Sequence, residues 1–427
     1  MTTVAADLPV PPRMNSGAEL TMARVLLLVP ARTYRASDFL VAAGRLGLDL
    51  VVGSDGALPL DRRLVVRVDL GDLAGSVDRL LAHSGPVDAV VAVDTPMLVL
   101  AAAVAAHMGV AHNPVDAVLA STDKATQRHR WAAAGVAQPA FRVVPATASQ
   151  DAVQDAAAQV GFPCVVKAVS LSGSQGVLRA DDQAGAAAAA ERIRQILGSV
   201  GRPPDEALLV EAYVPGWELS IDGLLTGGDL QVTAVFDKPD TPDGPTFEET
   251  VLVTPSRLPQ PIRSATIDTA ERAAAALGLR YGPIHAELRL DARRSGQRPT
   301  MLELAARSIG GLCSRALRFL DGVSLEQLVL ANALGRRVTP RRLARPAGVL
   351  MLPVERAGVL RAVDGRSDAA AIPGIAGVSI TIPVGQTVHP LPEGDRYLGF
   401  VFAEGATHQE VEEALRAARR RLRVVIG

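Results

Sequence analysis

Only 2 of the 427 residues are cysteines, and neither Cys164 nor Cys313 sits in a CxxC or metal-ligand spacing. A disulfide scaffold is therefore excluded, and both read as small buried hydrophobes in a reducing compartment. Aromatic residues make up 3%, too few for the stacking platforms that hold single-stranded nucleic acid. Charge of one sign is also missing: the net charge is -1 and the pI about 6.7, so no global field points to nucleic acid or an acidic membrane surface. No apolar run reaches the roughly 18 residues of a membrane span, and the Ala-rich stretch 98–108 is too short. Residues 1–20 contain Pro9, Pro11 and Pro12, lack a continuous apolar core and read as a loose tail, not a signal peptide. A cytoplasmic enzyme that binds neither nucleic acid nor membrane is the expectation. What is present is a 48% hydrophobic content, ample for sizeable cores, in a length that suits about two to four domains.

Alternating patterns divide the chain. Residues 25–29 and 87–93 are continuous apolar runs, as in strands buried on both faces, and helical stretches lie between and after them. Residues 21–120 thus read as a doubly wound α/β unit, without the GxGxxG of a dinucleotide site. Residues 121–340 form a second unit. Thr122 is expected to cap a helix running to Ala134, and Gly227-Gly228 with Asp229 marks a hairpin. Ser324 and Gln327 make a capping box. Residues 341–427 form a third unit, β-rich and closed by a helix over 407–422 whose Arg419–Arg421 end suits the dipole.

Three places carry chemistry. A hairpin centred on Ser295 sets Glu287 opposite Glu303, and period-two alternation puts Glu303, Ala305 and Arg307 on one face. Two such carboxylates repel by roughly 4 kcal/mol at 4 Å and an effective dielectric near 20. A hard divalent cation removes that repulsion, and Arg307 adds a donor for phosphate or carboxylate oxygens. Both glutamates exposed on an open sheet face, or a register that differs by two, is the alternative. Second, Lys167 ends the apolar strand Cys164-Val-Val-Lys-Ala-Val169, beside the small-residue loop from Ser170 to Gly176. Such a loop folds over polyphosphate while the lysine neutralises it; a Gly/Ser hairpin with a snorkelling lysine is the alternative. Third, the strand from Leu208 leads into the connector Ala212-Tyr-Val-Pro-Gly-Trp-Glu218, which offers backbone atoms to a purine edge and a carboxylate to ribose hydroxyls, or is an ordinary strand and turn.

In their order these features are similar to the ATP-grasp fold over residues 122–335, and the whole chain resembles the three-part layout of ATP-grasp carboxylate–amine ligases. Asp123-Lys124, Gly161-Phe-Pro-Cys-Val-Val-Lys167, Val210-Glu-Ala-Tyr-Val-Pro-Gly-Trp-Glu-Leu-Ser-Ile-Asp222, His285-Ala-Glu287 and Leu302-Glu-Leu-Ala-Ala-Arg-Ser-Ile-Gly-Gly311 carry the resemblance. The loop from Phe236-Asp-Lys238 to Phe247-Glu-Glu-Thr250 resembles the L-amino-acid ligase branch. The fold so implied is mixed α/β and α+β.

The resemblance implies roles. Lys124 and Lys167 hold nucleotide phosphates under Ser172, Gly173, Ser174 and Gly176; Glu211, Ala212 and Val214 bind adenine, and Glu218 the ribose. Glu287 and Glu303 hold Mg²⁺, or Mn²⁺ in its place. Ala305 stands where the family often has a ligating Asn, which removes one metal ligand. Arg307 steadies the transferred phosphoryl group or the substrate carboxylate, and with His285 the later oxyanion, unless His285 is a satisfied core histidine. Asp94, at the carboxyl end of a buried strand, takes a substrate ammonium or caps a helix. Gly310-Gly311 leaves room beside Arg307 for a bulky substrate. The implied activity is amide formation between an acid and an amine, both small molecules, through an acyl-phosphate, in a chain that similar enzymes suggest is a homodimer. A bicarbonate-activating carboxylase-like enzyme and a non-catalytic ATP-binding module are the rival readings.

Overall fold

The computed structural model describes residues 22–58, 64–203, 205–291, 298–341 and 344–427. The expected tail and the Ser295 turn lie outside these residues. Near the N-terminus β1 (Arg24–Leu28), β2 (Asp49–Ser54), β3 (Val65–Arg67) and β4 (Ala89–Ala92) form a parallel sheet in the order β3-β2-β1-β4, with α1 (Ala36–Arg45), α2 (Leu73–Ser84) and α3 (Leu98–Met108) between and after them. Val25 and Leu27 enter one hydrophobic cluster while Leu26 and Leu28 enter another. Both faces of the sheet are therefore covered, which is why these strands read as unbroken apolar runs.

Two short helices follow, α4 (Val115–Thr122) and α5 (Lys124–Ala133). The cap of α5 is Asp123, whose carboxylate accepts from Thr126 N at 2.6 Å, while Thr122 closes α4. The expectation of a Thr122 cap is thus shifted by one residue, because a carboxylate at the next position meets the helix N–H groups with a full charge.

A second, antiparallel sheet has the order β5-β8-β6-β7, from β5 (Phe141–Val144), β6 (Cys164–Ala168), β7 (Val177–Ala180) and β8 (Leu208–Ala212). Two helices, α6 (Gln150–Val160) and α7 (Gln183–Ser199), share a core with it that includes Ile193 and Val166. Small residues on α7, Ala186, Ala189 and Ala190, let that helix lie close to the strands.

The largest sheet has eight strands, in the order β13-β12-β9-β10-β11-β14-β18-β16. Its strands are β9 (Gly216–Thr226), β10 (Asp229–Lys238), β11 (Val251–Thr254), β12 (Tyr281–Asp291), β13 (Pro299–Ala305), β14 (Ala347–Leu352), β16 (Ile375–Ile380) and β18 (Gly399–Glu404). The hairpin at Gly227-Gly228 forms as the sequence indicates, joining β9 to β10. The C-terminal strands continue this central sheet: β14 pairs with β11 and β18 with β14. A three-stranded sheet with β15 (Gly358–Asp364) between β17 (Thr387–Val388) and β19 (Arg423–Ile426) completes the β-rich C-terminal part. Helix α8 (Gln260–Leu277) packs on the central sheet. Helix α9 (Leu325–Ala333) carries the Ser324–Gln327 capping box. Helices α10 (Arg366–Ala370) and α11 (His408–Arg421) pack together at the C-terminal end.

Gln127 ties α5 to the sheet edge. It is 1% exposed; its amide donates to the Ser121 and Leu304 carbonyls at 2.9 Å each and accepts from Leu304 N at 3.1 Å. Gln127→Ala strands both backbone groups of Leu304, and by the cost of unsatisfied buried groups the variant should lose roughly 1–3 kcal/mol in denaturant titration.

Candidate active site

The hairpin of β12 and β13 sets the chemistry. Glu287 stands directly opposite Glu303, as the sequence register requires. The ladder slips after Glu287: Leu288 pairs with Met301, so Leu302 is an extra residue on β13. A bulge turns both Leu302 and Glu303 toward one cavity of about 480 Å³, which Ala305 and Arg307 also line.

Three cations compensate the two carboxylates. Lys124 Nζ lies 3.1 Å from Glu303, Lys238 Nζ 3.7 Å from Glu287, and His285 Nε2 3.3 Å from Glu287. Burial alone would raise the pKa of Glu287, but Lys238 and His285 hold it well below the usual carboxylate range. Burial alone would likewise discharge His285; Asp222, 3.2 Å from Nδ1, and Glu287 outweigh it and push the imidazole up to about 9. His285 is thus a cation at neutral pH, held between two carboxylates. Asp222 in turn accepts from Ile309 N at 2.8 Å and fixes the chain just past Arg307.

Glu218 has both oxygens engaged, one by Lys238 Nζ at 2.7 Å and one by Arg289 Nε at 2.8 Å. With Glu249, which also binds Lys238, and Glu287 it forms a group of carboxylates whose ligand atoms lie within 4.8 Å of one another. Glu303 is outside that trio. Sequence reading missed Glu249 and Lys238 as site residues although it singled out their loop; a lysine and a glutamate bracketing a Pro- and Gly-rich segment are the available signal.

Where β6 and β8 border the cavity, Lys167 is 7% and Glu211 2% exposed, and they pair at 2.5 Å. Arg128 on α5 binds the same carboxylate. Burial lowers the proton affinity of Lys167 more than Glu211 restores it, whereas Arg128 and Lys167 overcome burial and keep Glu211 ionised. Lys124 also donates to the Leu171 carbonyl. Ser172, Gly173 and Ser174 line the cavity, with Gly173 and Ser174 at positive φ, 65° and 59°. Gly176 does not line it; its N–H donates to Pro392 O at 3.0 Å, and Gln175 donates to Glu393 O at 2.7 Å. Arg192 grips Glu393 with two bonds of 2.7 and 3.1 Å. The glycine-rich loop is thereby tied to the C-terminal part. Ala212 and Val214 line the same wall, and Val214 O accepts from Arg289 at 2.9 Å.

At the other end Asp94 takes the capping place of its two expected ones and also pairs with an arginine. It accepts from Thr95 N at 3.1 Å at the head of a short 3₁₀ turn, and it lies 3.3 Å from Arg307 Nε. Thr33 and Thr95 hydroxyls brace this pair. Gly310 and Gly311 both line the cavity, and a Cβ on Gly311, at φ 60°, would meet the Phe400 ring at 2.6 Å, so that position takes no larger residue. At Gly310 a Cβ would sit 3.5 Å from the Arg307 guanidinium. Asp395, Arg396 and Tyr397 reach the cavity from the C-terminal part, unforeseen because only the sheet order brings them there.

Residues 160–316 match the ATP-grasp domain family, and residues 350–427 match L-amino acid ligase C-terminal domain 2. Carnosine synthase 1 of Gallus gallus is 32% identical over 49% of this chain and 24% of its own length. Alanine–anticapsin ligase of Bacillus subtilis is 27% identical over 40% of this chain and 39% of its own length. The matches thus span well under half of either relative. Among solved structures, the L-amino acid ligase from Bacillus licheniformis superposes with a TM-score of 0.78 at 24% identity, covering 95% of this chain and 100% of the other; that likeness is one of fold.

Two outcomes follow from the buried charges. Glu211→Gln leaves Arg128 and Lys167 without their shared anion, and by the cost of breaking a buried pair should lower stability by roughly 3–5 kcal/mol in urea titration. Burial and the Glu355 carboxylate push Glu248 up to about 7. Its folded value lies above the unfolded one, so its contribution to stability is complete below about pH 4.5 and is lost as pH rises through 7. Glu248→Gln should melt with wild type at pH 4 and above it at pH 8.

Proposed function

Since this chain is an ATP-grasp protein that ends in an L-amino acid ligase C-terminal domain, we propose that it joins a carboxylic acid, an amino acid, to an amine, converting ATP to ADP and phosphate. The observation that carries this reading is the facing pair Glu287 and Glu303 in one cavity with Lys124, Lys167 and Arg307.

The residues fit a hard divalent ion. Two opposed carboxylates supply oxygen donors, and three cations already gather around them, so the position favours positive charge. Bound Mg²⁺, or Mn²⁺, would offset charge on the γ-phosphate oxygens, with Glu287 and Glu303 holding it. Ala305 offers no ligand beside them.

Lys124 and Lys167 would hold the phosphates under Ser172, Gly173 and Ser174, and Ala212 and Val214 would meet the base; all of them line the one cavity, which supports the reading. Glu211 keeps Lys167 in place, and Glu218 lines the wall near the ribose position. An oxygen of the substrate carboxylate attacks the γ-phosphorus, and the bond to the departing ADP oxygen breaks. Arg307 sits against the transferred group. The amine nitrogen then attacks the acyl carbon and loses a proton, and the carbon–oxygen bond to phosphate breaks. Arg307 and the His285 imidazolium stabilise the oxyanion of that step. Asp94 aligns Arg307 and stands where a substrate ammonium would be met. ATP supply and two unpaired cysteines accord with the cytoplasm.

A phosphate-release screen over pairs of amino acids and simple amines, with Mg²⁺ and ATP, is expected to find pairs that turn over only when acid and amine are both present. Release with bicarbonate alone would speak for a carboxylase instead. Glu303→Gln should lower turnover by at least about a hundredfold while far-UV circular dichroism and melting stay close to wild type; undiminished activity would refute the metal assignment.

A further inference from the structure

Beyond Arg307 the cavity changes character. Leu252 on β11, Ile309, Cys313 and Met351 on β14 line it, each at most 4% exposed, and Tyr397 closes it from the C-terminal part. Behind them Phe400 packs edge-on against Tyr34 at 5.6 Å and lies 6.3 Å from Tyr397 between ring centroids. Tyr34 Oη donates to the Tyr397 backbone carbonyl at 3.4 Å. The N-terminal part, the central sheet and the C-terminal part therefore hold one apolar compartment between them.

The compartment starts two residues from Arg307, at Ile309, whose N–H is anchored on Asp222. An acid whose carboxylate lies between Glu287, Glu303 and Arg307 directs its side chain there. The charged groups beside it are paired: Asp395 lies 3.7 Å from Arg396. Glu249 is bonded to Lys238, and burial pushes both the Cys313 thiol and the Tyr397 phenol upward, so both stay neutral. A charged or strongly polar side chain would leave water with no partner in exchange, which is costly. An aliphatic one gains about 0.8 kcal/mol per buried methylene.

We propose that Leu252, Ile309, Cys313, Met351 and Tyr397 form the specificity pocket for the acid substrate and select an amino acid with an aliphatic side chain. This rests on the ligase reading of the cavity and narrows its acid to a class. The acid's identity is set largely by β14 and the segment around Tyr397, whereas ATP would be met by Lys124 and Lys167 in the same cavity.

The test is binding by titration calorimetry, with Mg²⁺ and a non-hydrolysable ATP analogue saturating, using L-leucine, L-alanine, L-aspartate and L-lysine as probes. Leucine is expected to bind at least tenfold more tightly than aspartate or lysine. Met351→Trp, which fills the compartment, should weaken leucine at least tenfold and alanine less than threefold, within the range that pocket shape supports. Met351→Ala enlarges the same space and should improve L-phenylalanine relative to leucine; it keeps the proposal testable should the tryptophan variant fail to fold. Binding of aspartate or lysine in preference to leucine, equal losses for leucine and alanine, or no amino-acid binding at all would overturn the proposal. Leucine binding as expected, without phosphate release for any acid–amine pair, would leave the pocket standing and remove the ligase reading.

Discussion

Like charges placed face to face on neighbouring strands are tolerated only where positive charge gathers around them. Glu287 and Glu303 impose that demand on the whole central region. Lys124 answers it from the head of α5, Lys238 from the end of β10 and His285 from the same strand as Glu287. Three separate elements must therefore converge, and the bonds of Gln127 to Leu304 and of Asp222 to Ile309 hold the elements that bring them. The site is an electrostatic balance whose members are spread over more than 170 residues of sequence.

The same balance recurs one layer further in. Glu211 serves Lys167 and Arg128, and Glu218 serves Lys238 and Arg289. Each carboxylate carries two cations: beside Glu218 the proton affinity of Lys238 and Arg289 rises in spite of burial, whereas at Lys167 burial outweighs Glu211.

Much of this was readable in the sequence because local rules carry it. Alternation along residues 285–289 and 301–305 fixed the face of each glutamate, and the count across the turn fixed their pairing. The apolar runs at 25–29 and 87–93 announced strands covered on both sides, and Ser324 with Gln327 announced the start of α9. What stayed hidden depends on distant partners. The bulge at Leu302 has no signature of its own, and the cap of α5 falls on Asp123, one residue past the expected threonine. Nothing near Gly311 in sequence says that Phe400, some ninety positions on, packs against it. Glu249 and Lys238 are ordinary loop and strand residues until Glu218 and Glu287 are brought beside them.

The contact of the Ser172–Gly176 loop with Pro392 and Glu393 links two choices that a modular view would keep separate. The stretch that grips this loop runs directly into Asp395, Arg396 and Tyr397, which line the same cavity, and a Cβ on Gly173 would lie 3.8 Å from Asp395 O. A shift of that stretch moves the loop and this part of the cavity wall together. Grafting residues 350–427 from a relative would therefore transplant both as one inheritance, and neither could be retuned there without the other feeling it.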